Sequence, residues 1–147
     1  VGTQATLKPG DEALLIDAMA HPPPLPSPDA DAVRWVHGFQ LAAAVLVGNG
    51  PDAAGAREER LAGLLIGIDD WSAAAALIGL RALCRCCPER REPVASHARA
   101  LLASISDPLP PLARALAVLG AEVASDEGRS DFIALRAQLR ADHGRLV

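Results

Sequence analysis

The sequence predicts an all-α protein of about seven helices, on three observations. Ala makes up roughly a fifth of the 147 residues and Leu is abundant, whereas aromatics are 3% and Tyr is absent. Ala and Leu lose little on entering a helix, while strands favour the β-branched and aromatic side chains that are scarce here. Apolar residues recur at helical spacing between Pro, Gly and Asp punctuation. Finally, the expected starts of alternate helices, near Asp31, Asp70 and Asp107, lie 39 and 37 residues apart, and the interleaved starts near Asp52, Glu92 and Ser130 lie 40 and 38 apart. Stacked helical hairpins give a period of this size.

The expected organisation is a flexible lead-in over 1–10 followed by one helical domain over 11–147. Asp11 to Ala20 forms the first helix, with Leu14, Leu15, Ala18 and Met19 on one face and Asp11, Glu12 and Asp17 elsewhere. The PPPLPSP run in 21–28 stops it and reads as a stiff, extended connection. Asp29 or Asp31 caps a second helix to about Val47. Its two apolar stripes, Val33, Val36, Gln40, Ala44 and Val47 beside Trp35, Phe39, Ala42 and Leu46, predict a central position between neighbours.

A third helix is expected from Asp52 through Ile68, with Arg57, Glu58, Glu59 and Arg60 as a solvated turn before Leu61, Leu64, Leu65 and Ile68. Gly63 and Gly67, one turn apart, predict a close backbone contact. Asp69 or Asp70 caps a fourth helix to Cys87, apolar almost all round and ended by Pro88. Pro93 suits the first turn of a fifth, with Val94, Ala98, Leu101, Leu102 and Ile105 as its stripe. Asp107-Pro108 opens a sixth, with Leu109, Leu112, Leu116, Leu119 and Val123 inward. Ser130 or Asp131 caps the last, Phe132 to Asp142, with Leu135 and Leu139 buried.

The stretch Ala100 to Gly120, ALLASISDPLPPLARALAVLG, resembles a HEAT-type helical repeat. It has a helix ending in a small polar turn, then Asp-Pro, then an Ala-rich helix ending in Leu-Gly. The resemblance implies that Asp107-Pro108 occupies the turn within a repeat and that Leu112, Leu116 and Leu119 fill the core between paired helices. A second unit at Leu61 to Leu83 matches loosely and has Asp69-Asp70 in place of Asp-Pro. The N-terminal third matches poorly. The implied architecture is an α-α superhelix of antiparallel hairpins, with an irregular helical bundle as the alternative.

Composition also bounds function. A net charge of -4 and a pI near 5.5 make nucleic acid an unlikely partner, because its binders carry a basic face. Basic residues are almost all Arg, with Lys8 the sole lysine, as GC-rich bacterial coding would produce. No basic segment precedes an apolar run at the N-terminus, and Leu41 to Val47 and Leu61 to Ile68 are far shorter than the ~20 residues that span a bilayer. Three clustered cysteines fit a reducing, cytoplasmic setting. The chain begins with Val, as a piece trimmed from a larger protein could.

No catalytic, cofactor or metal motif can be assembled. Cys84-Arg-Cys-Cys87 has a Cys-x-x-Cys spacing, but it stands at the end of a helix, where the dipole favours the thiol, and zinc would need two more ligands. His37 reads as a partly buried, hydrogen-bonded residue, and His97 and His143 as surface residues. Glu58-Glu59 and Asp69-Asp70 read as solvated turns and caps. The residues left as candidates for partner binding are Arg81, Arg85, Arg90, Arg91, Arg99, Trp35 and Trp71. The expected function is a protein-interaction scaffold or regulatory module without catalysis, its partner a protein or a second copy of the chain. The alternatives are a nucleic-acid-binding or DNA-base-processing repeat domain using the Arg-rich 81–99 region, or a packing domain of a larger enzyme. Some HEAT-like glycosylases work with Trp and Asp on a concave face, and Trp35, Asp70 and Trp71 are present, but Glu89 and Glu92 dilute the charge. Convergence of the arginines on one face would favour the nucleic-acid reading, and scattering or pairing would count against it.

Overall fold

Two helices begin where an aspartate side chain accepts an otherwise unpaired amide, and a third opens on prolines, which carry no amide to satisfy. The computed structural model describes residues 7–22, 29–67 and 69–145. Among them lie seven α-helices and no strand: α1 (Asp11–Ala20), α2 (Ala30–Gly48), α3 (Ala54–Ala62), α4 (Asp70–Cys86), α5 (Arg91–Ser104), α6 (Pro110–Val123) and α7 (Asp126–Arg145), with a 3-10 turn at Pro88–Arg90. Asp29 accepts the amide of Ala32 at 2.8 Å and Asp69 accepts that of Ser72 at 2.7 Å, so the expected caps of α2 and α4 are in place. The Pro-rich run 23–28, Ile68 and residues 1–6 lie outside the described residues.

Residue pairings fix how the helices run. Gln40 bonds Ser72, Gly79 lies against Ala44, and Gly48 lies against Gly79 and Ala82, so α2 and α4 advance together. The Asp70 carboxylate accepts the Leu109 amide at 2.8 Å, and Arg81 and Arg85 bond Glu122, so α4 and α6 do the same. The starts at Ala30, Asp70 and Pro110 are 40 residues apart each time. Thus α2, α4 and α6 form a row of parallel helices with α4 in the middle. Running back against α4 is α3, with Leu61 beside Gly79 and Arg57 reaching Cys86 and Cys87. Similarly, α7 folds back on α6, placing the Phe132 ring over Gly120.

The core is built from small side chains. Ala73, Ala74, Ala75, Ala76, Leu77, Leu80, Leu83 and Cys84 of α4 are all buried, with Ala43, Ala44 and Val47 of α2 and Leu112, Leu116 and Leu119 of α6. The expectation of an α4 apolar almost all round therefore holds. A Cβ on Gly79 would stand 2.7 Å from the Ala44 carbonyl oxygen and 2.9 Å from Leu61, so glycine sets the spacing of α2 and α4.

Several expectations are corrected. The central helix is α4 and not α2, whose second stripe faces outward: Trp35 is 62% exposed, Leu46 is 37% exposed, and Phe39 is half-buried beneath the stacked Trp35 ring. Only one side of α2 meets the row, so spacing alone overstated its burial. The third helix starts at Ala54 and stops at Ala62, because Gly63 ends it and Gly67 adopts a left-handed φ of 84°. Neither glycine mediates a close helix contact, since a Cβ on Gly63 would meet only the carbonyls of its own turn and one on Gly67 nothing. Leu64 and Leu65 are nevertheless buried. Residues 105–109 are a loop with Asp107 at φ 52°, so α6 starts at Pro110 and Leu109 is 43% exposed. Likewise α7 starts at Asp126, with Ser130 and Asp131 exposed inside it rather than capping it.

The largest departures are charged residues. Glu12 is fully buried, and Arg57 and Glu58 are nearly so, where solvated positions were expected. Each has partners that offset desolvation. Glu12 accepts the Asp52 amide at 3.2 Å and faces Arg60 at 3.3 Å. The Arg57 guanidinium donates to the carbonyls of Gly48 and Asp52, capping the C-terminus of α2. Glu58 accepts from Arg90 at 2.9 Å, with Nε2 of the half-buried His97 at 3.4 Å. In α1, Leu14 is 71% exposed and Met19 alone of the four expected apolar residues is fully buried.

Phe132 is the largest fully buried side chain. Phe132→Ala should cost about 3–5 kcal/mol, the range for removing a buried aromatic ring. Urea unfolding measures this, and a loss below about 1 kcal/mol would contradict the docking of α7 on α6.

Candidate functional site

Between the ends of α4, from Ser72 to Arg85, four residues spaced i, i+3, i+4 and i+7 escape burial: Ile78, Arg81, Ala82 and Arg85. They form the floor of a groove walled by α2 and α6. One part of it, about 290 Å³, is lined by His37 and Leu41 of α2, Ala74, Leu77, Ile78 and Arg81 of α4, and Pro111, Arg114, Ala115 and Val118 of α6. A second part, about 250 Å³, continues past Ile78 and Arg81 to Val45, Asn49, Ala82 and Arg85. The two parts adjoin at Ile78 and Arg81, which line both. Apolar surface dominates the floor, and Arg81, Arg85 and Arg114 supply cationic groups along it.

Glu122 on α6 organises two of those arginines. It accepts from Arg81 Nε and, at 3.2 Å, from Arg85 Nε. Burial alone would raise its carboxyl pKa, but the two guanidinium hydrogen bonds and their charge prevail and hold it below the ordinary carboxylate value. One carboxylate thus fixes two cations without cancelling both. Opposite it, His37 packs edge-on against Trp71 with ring centroids 4.5 Å apart. Burial holds its pKa below the usual value, against the opposing influence of Gln40 and Asp69. Its Nδ1 is buried, and the ring is partly buried beside the Gln40 side chain as expected.

The remaining sequence candidates lie elsewhere. Arg90 is held by Glu58 of α3, on the side of α4 where α3 packs. Arg91 is exposed at the start of α5. Arg99 borders a separate cleft of about 440 Å³ between α5 and α7 with Leu102, Asp131 and Leu135. Trp35 stacks on Phe39 at 6.3 Å on the outer side of α2. The arginines therefore scatter, and three of them pair with Glu122 or Glu58, which counts against a nucleic-acid groove. Sequence reading missed His37, Ile78, Arg114 and Glu122 as groove residues. The 78/81/82/85 stripe was legible as the one polar-bearing face of α4, but its walls depend on helices some 40 residues away.

The cysteines also fall differently from their spacing. Cys84 is buried, and burial pushes its thiol up to about 11. The neighbouring thiols are Cys86 and Cys87, with Sγ atoms 3.6 Å apart. Among the described residues no group of three or more His, Cys, Asp or Glu is placed to hold a metal ion. No described helix is long and apolar enough to cross a membrane.

The Glu122 network carries a signed pH dependence. Because its carboxyl is depressed in the folded state, it contributes stability that is full above the unfolded value of about 4.3 and is lost as pH falls through the lower folded value. Glu122→Gln should be less stable than the parent at about pH 7, with the gap narrowing toward about pH 3 as that contribution disappears. A gap in urea midpoint that stays constant over this range would contradict the assignment.

Comparisons with protein-family models, with curated proteins and with solved structures give no match, so the HEAT-type resemblance rests on the residues of Ala100 to Gly120 alone.

Proposed function

We propose that the chain is a protein-interaction module that receives a segment of another protein in the groove over α4, and that it has no catalytic activity of its own. The observation that carries this reading is the composition of the groove. An apolar lining that includes Leu41, Ala74, Ile78 and Val118 is accompanied by Arg81, Arg85 and Arg114, with one carboxylate, Glu122, pre-positioning two of them. The complementary occupant is an amphipathic segment with apolar anchors and carboxylates, docked along the axis of the row. Affinity in such a site comes from a few anchors over Ile78, with the arginines giving register and salt sensitivity. The resemblance of Ala100 to Gly120 to a HEAT-type repeat is in keeping with the same reading, since stacked helical repeats present extended grooves.

Selection of peptides from a random display library on the intact chain tests the proposal. The expected winners combine Asp or Glu with Leu, Ile or aromatic anchors, weaken with added salt, and lose about 10-fold or more in affinity on Arg85→Gln or Ile78→Ser, a loss of about 1.4 kcal/mol. Winners that bind both variants as well as the parent would overturn it.

A further inference from the structure

The C-terminus of α4 carries two thiols and a buried cation in one cluster. Cys86 is the last residue of the helix, and Cys87 leaves it with φ −131° and ψ 76°. Successive helical side chains diverge by about 100°. The break in conformation instead leaves the two sulfur atoms side by side at 3.6 Å. Cys86 is exposed, so the pair opens to solvent. Above both lies Arg57 of α3, with Nη1 3.8 Å from Cys86 Sγ and Nη2 3.6 Å from Cys87 Sγ. This guanidinium is held by the Asp52 and Gly48 carbonyls and is 6% exposed, so it is a fixed positive charge and not a mobile surface group.

We propose that Cys86 and Cys87 form a two-coordinate site for a soft monovalent cation of the Cu(I) or Ag(I) type, with Arg57 as its counter-charge. Thiolates select such ions over hard ones. Two S–H bonds break, two S–metal bonds form, two protons pass to solvent, and no electron is transferred. The product, one monovalent cation between two thiolates, carries one net negative charge, which the single guanidinium balances. A divalent ion would give a neutral complex and leave Arg57 without a counter-charge. Structural zinc is excluded on donor number, because it takes four ligands and no third His, Cys, Asp or Glu joins the pair in the described structure. The negative end of the α4 dipole disfavours a net negative complex, so the charge that offsets it is the Arg57 guanidinium held at the same helix end. Cys84, three residues from Cys87 and buried, takes no part.

Anaerobic titration of the reduced full chain with Cu(I) against a chromophoric Cu(I) chelator tests the site. One ion per monomeric chain is expected, with a thiolate-to-metal absorption band in the ultraviolet. Cys86→Ser and Cys87→Ser should each abolish competition with the chelator, and Cys84→Ser should leave it intact. Arg57→Gln should weaken binding about 10-fold or more, as loss of an outer partner does, and Arg57→Lys should recover part of the loss, circular dichroism verifying that each variant is folded. Undiminished binding by Cys86→Ser, a requirement for Cys84, one ion shared between two chains, or equal affinity in folded Arg57→Gln would each overturn the proposal.

Discussion

The approach of α2 to α4 sets the dimensions of the whole chain. A Cβ on Gly48 would stand 2.3 Å from the Gly79 carbonyl oxygen, and one on Gly79 would stand 2.7 Å from that of Ala44. Contacts of this kind are backbone on backbone, so no rotamer change relieves them. Because the two axes lie so close, Gln40 can reach both the Met19 carbonyl at 3.1 Å and the Ser72 hydroxyl at 2.8 Å, tying α1, α2 and α4 together. The Gly48 carbonyl likewise falls within reach of Arg57. A protein with two Phe, two Trp and no Tyr gains its packing from such proximity, where bulkier cores rely on ring area.

A second consequence is where the charge goes. Helix α3 is nine residues long and carries two buried charged groups, Arg57 and Glu58. Arg57 joins the ends of α2 and α4, while Glu58 joins α3 to Arg90 and His97 in the following turn and α5. Nearby, the buried Glu12 has its pKa raised by burial and by its contact with Asp52, whereas Asp52 is lowered by that contact and by Arg60. Short polar α3 thus connects α1, α2, α4 and α5, which makes partial replacement of its charges more damaging than its exposure pattern in sequence would imply.

Element existence and the register of the row were legible because they rest on local signals. The caps Asp29 and Asp69, the stop at Pro88 and the spacing of Leu112, Leu116, Leu119 and Val123 each act within a few residues. What escaped were positions decided by distant partners. Glu12, Arg57 and Glu58 read as solvated because a sequence window cannot contain the carbonyl of Gly48 or the guanidinium of Arg90. Trp35 and Phe39 read as core because periodicity marks a face as apolar without saying whether a neighbour covers it. Of the seven candidate binding residues, Arg81 and Arg85 border the groove and Trp71 contacts its wall through His37. Cys84 and Cys87 share a helical face by counting, but α4 ends before Cys87, whose thiol lies beside that of Cys86 instead.

The account stands on glycine contact between α2 and α4, and thermal unfolding of two alanine substitutions addresses it directly. Gly38 and Gly79 are both helical, but a Cβ on Gly38 meets nothing within 4 Å. Helix propensity alone favours alanine at either position by about 1 kcal/mol. Gly38→Ala should therefore raise the Tm by about 2–4 °C, while Gly79→Ala should lower it by at least that much, overpacking against backbone costing about 1–3 kcal/mol beyond the propensity gain. A Gly79→Ala protein as stable as the Gly38→Ala protein would contradict the close approach on which the row of helices depends.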